Sequence, residues 1–302
     1  MSTSKSRETA SFSDWAKSLP LYPLPHHAIS RLTLAVTRCR WSWLKNALIN
    51  AFVRAFKVDM SEAAAPEATA YEHFNAFFTR ELKPGARPLP DSPTAIISPA
   101  DGAISAIGPI EHDQLLQAKG HTYSVADLLG GDTELAQRFH GGRFVTVYLS
   151  PRDYHRIHMP CAGKLQRMIH VPGRLFSVGA HTVRTVPRLF ARNERVVNLF
   201  EGEHGPMAIV LVGAINVGSI ETVWSGVVTP PAGKRVRSWE YDQQNATQLA
   251  RGDELGRFNM GSTAIVLFGP GQMEWDNTLE NEQKVRMGQA LGELTVEQKQ
   301  SA

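Results

Sequence analysis

The sequence predicts an α+β protein: amphipathic N-terminal helices, then a mainly antiparallel β barrel or sandwich that carries the chemistry. Three observations lead there. The stretch from Ile29 to Val58 holds no proline or glycine. From Ala95 onward, short β-branched runs alternate with glycine, proline and polar clusters. Long helices do not alternate with those runs, which disfavours a doubly wound α/β fold. The expected division is a helical segment over 1–60 and a catalytic body over 61–302.

Composition narrows the classes. The chain has 302 residues, 42% hydrophobic and 20% charged, enough apolar material for a large core and too much for a disordered chain. Its formal net charge is +3 at pH 7, which gives no reason to expect a nucleic-acid partner. Cys39 and Cys161 are the only cysteines, too few for a disulfide framework, and the chain reads as intracellular. The opening MSTSKSRETASFSDWAKS lacks the apolar core of a secretory signal. No apolar run approaches the roughly 18 residues of a spanning helix.

In the N-terminal segment, Pro20, Pro23 and Pro25 sit in LPLYPLPHH and break any helix there. Beyond them, helical spacing puts Trp41, Leu44, Leu48, Ala51, Phe52 and Ala55 on one stripe, with Asn46, Asn50, Arg54 and Lys57 opposite. Residues 27–60 carry Arg31, Arg38, Arg40, Lys45, Arg54 and Lys57 against one acid, Asp59. Such a helix suits the interface of an anionic membrane, and it equally suits a core-packing helix with a solvated basic face. Trp43 and Ile49, off the stripe and in need of cover, tilt the reading towards the membrane. Next, Glu72 to Leu82 reads as a short helix ended by Pro84-Gly85. The strand-like runs of the body follow: AIISPADGAISAIG, RFVTVYLS, RVVNLF, MAIVLVGAINVGSIETVW and TAIVLF. No repeat of fixed period is present, and the polar tail from Glu293 to Ala302 reads as frayed.

Three features can carry chemistry. In Ser150-Pro-Arg-Asp-Tyr-His155-Arg-Ile-His158, two histidines three apart follow a strand, a place suited to acid–base work. A metal on this pair needs further ligands, and no glutamate or cysteine stands at a familiar spacing. Pro99-Ala-Asp101-Gly102 reads as a turn, with Asp101 of interest only where a histidine needs an orienting carboxylate. In Gly261-Ser262-Thr263, a β-bulge or hairpin turn is the plain reading. The sharper one is a serine with open access to the carbonyl before it, glycine leaving room for strain and close attack. The GxSxG pattern of a nucleophile elbow is absent.

Over longer stretches the sequence resembles the phosphatidylserine decarboxylases, specifically the bacterial membrane-associated group. The resemblance runs from about Leu32 to about Leu291. It rests on KVDM, FFTRELKPGARP, PADG, QAKGHTYS, FVTVYLSPRDYHRIHMPCAG, LFARNERVV, GSIETVWSG and GRFNMGST. Where the group usually has leucine before Gly-Ser-Thr, this chain has Met260, of similar size and polarity. The resemblance implies a zymogen that cuts itself between Gly261 and Ser262, giving chains 1–261 and 262–302. The Ser262 hydroxyl attacks the Gly261 carbonyl in an N-to-O acyl shift; elimination and hydrolysis then leave a covalent pyruvoyl group, the pyruvate cofactor, derived from Ser262. It further implies a self-cleavage triad of Asp101, His158 and Ser262, with His158 as base and Asp101 orienting its ring. His155 is implied as proton donor or carboxylate contact during decarboxylation. The pyruvoyl ketone forms a Schiff base with the amine of phosphatidylserine and takes the electron-sink role of pyridoxal phosphate, giving phosphatidylethanolamine. A peripheral place on the cytoplasmic side of the cell membrane, no metal, and a possible homodimer complete what is implied.

Three other functions fit parts of the sequence. One is a serine hydrolase using Asp101, His158 and Ser262 on an external ester. A second is a non-catalytic membrane-binding module built on 27–60. A zinc hydrolase on His155 and His158 is the third. A denaturing gel separates the zymogen from all three, since only the zymogen yields two chains.

Overall fold

The computed structural model describes residues 10–118, 121–215, 219–229, 234–242 and 247–295. The polar opening 1–9, two residues of QAKGHTYS, the first of GSIETVWSG and the tail 296–302 lie outside them.

The chain opens with helices α1 (Phe12–Ser18), α2 (His26–Thr37) and α3 (Ser42–Phe56), followed by α4 (Phe74–Phe78). Ser11 caps α1 by accepting the Asp14 N–H while the Asp14 carboxylate accepts the Ser11 N–H, a reciprocal capping box. The stretch from residue 29 to 58, free of proline and glycine, is divided between two helices by a break over Arg38–Trp41. Tertiary contacts account for the break. His27 Nε2 donates to the Gly173 carbonyl at 2.9 Å and Arg38 pairs with Glu221, which hold α2 on the body. α3 turns away to pack on α4 and stops where Lys57 adopts left-handed φ 52°.

The buried face of α3 is also rotated from the expected stripe. Ile49 is fully buried, in a cluster with Val58, Phe74, Phe77 and Phe78. Leu48, Phe52 and Val53 pack against that cluster, and Phe52 meets Phe74, Phe77 and Phe78 edge-on. Ala51 and Ala55 are exposed, as are Trp41 (66%) and Trp43 (69%), whose rings stack at 6.3 Å. Of the two off-stripe residues that needed cover, Ile49 finds it in the protein and Trp43 does not.

α4 is shorter than the helix expected over 72–82. After Phe78 the chain straightens, and Leu82 bridges Ala63.

The body is antiparallel throughout its strand pairings, and its sheets do not close into a barrel. A nine-stranded sheet has Thr263–Phe268 in its interior, paired on one side with Gly205–Val212 and on the other with Arg143–Tyr148. All six residues of TAIVLF are buried, as a strand covered on both faces requires. A four-stranded sheet contains Ser219–Thr222, Glu254–Asn259 and Arg156–His158. One apolar core joins the two sheets, with Ile157, Ile220 and Phe258 from the smaller and Leu165, Val196, Leu211 and Leu267 from the larger. At roughly 1.5–3 kcal/mol for each fully buried aliphatic or phenylalanine side chain, this core is the main source of stability. Part of the tail expected to fray is ordered: Ala290–Leu294 is a strand between Ala95–Ile97 and Met273–Trp275. Cys39 and Cys161 are unpaired.

Candidate active site

The chain crosses between the two large sheets twice, side by side. Residues 149–155 lead from Arg143–Tyr148 to Arg156–His158, and residues 260–262 lead back from Glu254–Asn259 to Thr263–Phe268. The strands flanking one crossing pair with those flanking the other. Two backbone hydrogen bonds tie the crossings together: Leu149 N–H to the Ser262 carbonyl at 2.8 Å, and Phe258 N–H to the His155 carbonyl at 3.1 Å. This double crossing is what sets His155 against the Gly261–Ser262 step.

The short crossing is strained. Met260 sits at φ 79°, where a side chain is unfavourable, and Gly261 follows at φ 20°. A Cβ on Gly261 would lie 2.5 Å from Cε1 and 2.9 Å from Nδ1 of His155, so glycine is demanded by space as well as by backbone. Ser262 is 1% exposed, and its Oγ is buried without a hydrogen-bond partner. Buried hydroxyls are normally satisfied, so this one marks a site of stored cost.

His155 is fully buried and stacks on Phe78 at 3.9 Å. Its Nε2 lies 3.3 Å from the Pro151 carbonyl, which can only accept, so Nε2 carries the proton and Nδ1 is a bare, unpartnered acceptor. Burial pushes its pKa down to about 3. His158, three residues on, is differently placed. Its Nδ1 donates to the Gly252 carbonyl at 2.8 Å, which leaves Nε2 to accept the Tyr154 hydroxyl, also at 2.8 Å. Burial lowers this histidine too, partly offset by the Gly252 carbonyl. The Tyr154 phenol is pushed well up by burial and keeps its proton.

Asp101 is held by other partners. Arg87 grips it with two hydrogen bonds, Nε to Oδ1 at 2.9 Å and Nη2 to Oδ2 at 2.5 Å, and Met287 N–H adds a third at 2.8 Å. The backbones of its turn and of His158 do meet, since His158 N–H donates to the Pro99 carbonyl at 2.8 Å. The side chains of Asp101 and His158 share no hydrogen bond, nor do those of His158 and Ser262. The fold thus sets the His155 ring against Gly261, the residue before Ser262, places Asp101 and His158 on adjoining backbone, and orients the His158 ring with a carbonyl.

Sequence reasoning did not single out Tyr154, Gly252, Arg87 or Phe78. Tyr154 stands one helical-turn spacing before His158 in a stretch already of interest, which was an available signal. Gly252 acts through its carbonyl, which no residue type announces. Among the described residues, no three His, Cys, Asp or Glu side chains stand together as metal ligands.

The family model described as phosphatidylserine decarboxylase matches residues 74–293, and a second, described as PSD, matches residues 16–57. The chain belongs to the phosphatidylserine decarboxylase family. A protein named phosphatidylserine decarboxylase proenzyme from Alkalilimnicola ehrlichii is 62% identical over 267 residues, covering 88% of this chain and 93% of the relative. One of the same name from Ectopseudomonas mendocina is 60% identical over 276 residues, covering 91% and 96%. The larger of the two family matches takes in every residue of the double crossing.

Proposed function

We propose that this enzyme cuts itself between Gly261 and Ser262, turns Ser262 into a pyruvoyl group, and decarboxylates phosphatidylserine to phosphatidylethanolamine. The observation that carries the reading is the Gly261–Ser262 step itself: strained at Met260, too tight for any side chain at Gly261, and ending in an unpartnered serine hydroxyl. Attack of Oγ on the Gly261 carbonyl forms the C–O bond as the C–N bond breaks, and the Ser262 nitrogen takes up a proton. Loss of the Ser262 α-proton then expels the Gly261 carboxylate. Water replaces the nitrogen, which leaves as ammonia. Once formed, the group supplies an electron sink for the loss of carbon dioxide.

The two histidines divide the work because their environments differ. A base for Ser262 needs a nitrogen that accepts a proton near neutral pH. His155, pushed to about 3, is poorly suited and serves as a neutral ring lying along Gly261. His158 keeps Nε2 as its basic nitrogen because the Gly252 carbonyl fixes the tautomer, and Tyr154 holds that nitrogen in the uncut chain. Asp101, gripped by Arg87, supports His158 through the field and the shared backbone of the turn.

An external-ester hydrolase is less well supported, because Ser262 is 1% exposed. Among the described residues no helix is long and apolar enough to cross a membrane. Peripheral attachment at the cytoplasmic face fits the exposed, stacked Trp41 and Trp43 beside Arg38 and Arg40, and exposed Leu32 and Val36 on α2. A homodimer rests on family resemblance alone. Intact-mass measurement of purified protein tests the central claim. Chains 1–261 and 262–302 are expected, the smaller lighter than its encoded mass by about 17 Da, the ammonia lost in making the group. A single chain, or an unmodified serine terminus, overturns it.

A further inference from the structure

A cavity of about 520 Å³ opens beside the site and reaches it at Asp101 and Tyr154. Its wall is rich in cations, and its acids are already engaged. Glu62 lies between Arg87 and Arg286, Asp101 is gripped by Arg87, Asp153 accepts the Ser150 N–H, and Asp59 accepts the Ser61 N–H. Arg80 is different. It is 5% exposed and lines this cavity, yet forms no ion pair among the described residues. Among the described residues its only side-chain hydrogen bond runs from Nη2 to the Arg152 carbonyl at 3.2 Å, while Nε and Nη1 are buried without an acceptor. The guanidinium also lies over the Phe77 ring at 5.7 Å.

A buried cation without a counter-ion is costly, by several kcal/mol even after relaxation. Proteins keep such groups where a ligand supplies the missing charge. Arg87 and Arg156 show the contrast, since each is paired with two carboxylates.

We propose that Arg80 is the anion-binding residue of the substrate site and receives the phosphodiester of the phospholipid headgroup from this cavity. The inference rests on the decarboxylase reading for the identity of the substrate. The headgroup carries two anions, and the chemistry favours the phosphodiester. Carbon dioxide leaves by discharging the carboxylate, so a cation held on that group stabilises the ground state more than the transition state. The phosphodiester keeps its charge throughout and anchors substrate without that cost. A guanidinium fork matches its two free oxygens.

Calorimetric titration of the purified enzyme tests this with two probes that cannot condense with a ketone. Glycerophosphocholine carries the phosphodiester alone, and N-acetylserine carries the carboxylate alone. Wild type is expected to bind glycerophosphocholine, Arg80→Met to bind it at least tenfold more weakly, and Arg80→Lys to fall between. N-acetylserine should not distinguish the three. Because Arg80→Met removes a buried charge that no carboxylate contacts and keeps an unbranched, apolar stem, its melting temperature should equal or exceed that of wild type.

No glycerophosphocholine binding by wild type, equal binding by Arg80→Met, or a loss confined to N-acetylserine would each overturn the proposal. So would a fall in the melting temperature of Arg80→Met, the mark of a structural arginine. Intact mass on the same wild-type sample reports self-cleavage separately, so failure of the decarboxylase reading is distinguishable from failure of the anion site.

Discussion

A methyl group at Gly261 would fall inside the His155 ring's contact distance, on a backbone already at positive φ. Gly261→Ala is therefore expected to stop self-cleavage and to destabilise the chain by about 1–3 kcal/mol, readable by denaturing gel and urea melts. Ser262→Ala and His158→Ala should remain uncut, having lost nucleophile and base. Asp101→Asn should cut slowly or not at all, and His155→Ala should still cut in part yet decarboxylate poorly. If His155→Ala stays whole while His158→Ala is processed normally, the two histidines have been exchanged. The burial of His155 also sets an acid limit. Unfolded, the ring binds a proton near 6.5; folded, it does so near 3. The stability it contributes is complete above pH 6.5 and declines as pH falls from there towards 3, because the unfolded state binds the proton first. The melting temperature of wild type should drop more between pH 7 and pH 5 than that of His155→Gln, which has no group to protonate. Equal drops would locate acid sensitivity elsewhere.

At the scale of elements, α3 divides its apolar residues between the protein and its surroundings. Ile49 is buried against phenylalanines of α4, one of which stacks on His155. Ile49→Ala should thus cost about 2–5 kcal/mol and slow self-cleavage, since the support of the His155 ring loosens with it. Phe52 belongs to the same contact, so replacing it tests folding rather than lipid binding. Trp41 and Trp43 have no such role. Their joint replacement by serine should shift stability by no more than about 0.5 kcal/mol, leave the 261/262 cut intact, and reduce flotation with anionic liposomes. Undiminished flotation would mean that another surface meets the lipid. High salt should release the protein only in part, because charge attraction is screened while apolar insertion is not.

Across the whole molecule, the proposed cut falls immediately before an interior strand of the nine-stranded sheet. The small chain 262–302 would contain Thr263–Phe268, hydrogen-bonded on both sides, together with Met273–Trp275, Lys284–Val285 and Ala290–Leu294. The two chains should therefore co-elute on gel filtration without denaturant and separate only when the core is unfolded. Separation under native conditions would argue that the cut dismantles the sheet.

The strands, the basic character of the N-terminal segment and the candidate stretches around His155, His158 and Gly261–Ser262 were legible in the sequence, because each is written in local pattern or motif; Tyr154, Gly252, Arg87 and Phe78 were not. TAIVLF declares a strand buried on both faces, and PRDYHRIHMP with NMGST supplies the residues proposed for the chemistry. What the sequence could not declare depends on partners distant along the chain. The break between α2 and α3 comes from docking on Gly173 and Glu221, not from a breaking residue. The rotation of α3 that buries Ile49 is decided by where α4 lies, since its periodicity allows more than one face. Likewise the choice of Gly252 rather than Asp101 to orient His158, and the isolation of Arg80, follow from which side chains the folded body places within reach. Periodicity and motif determine which residues are available; long-range packing determines which of them meet.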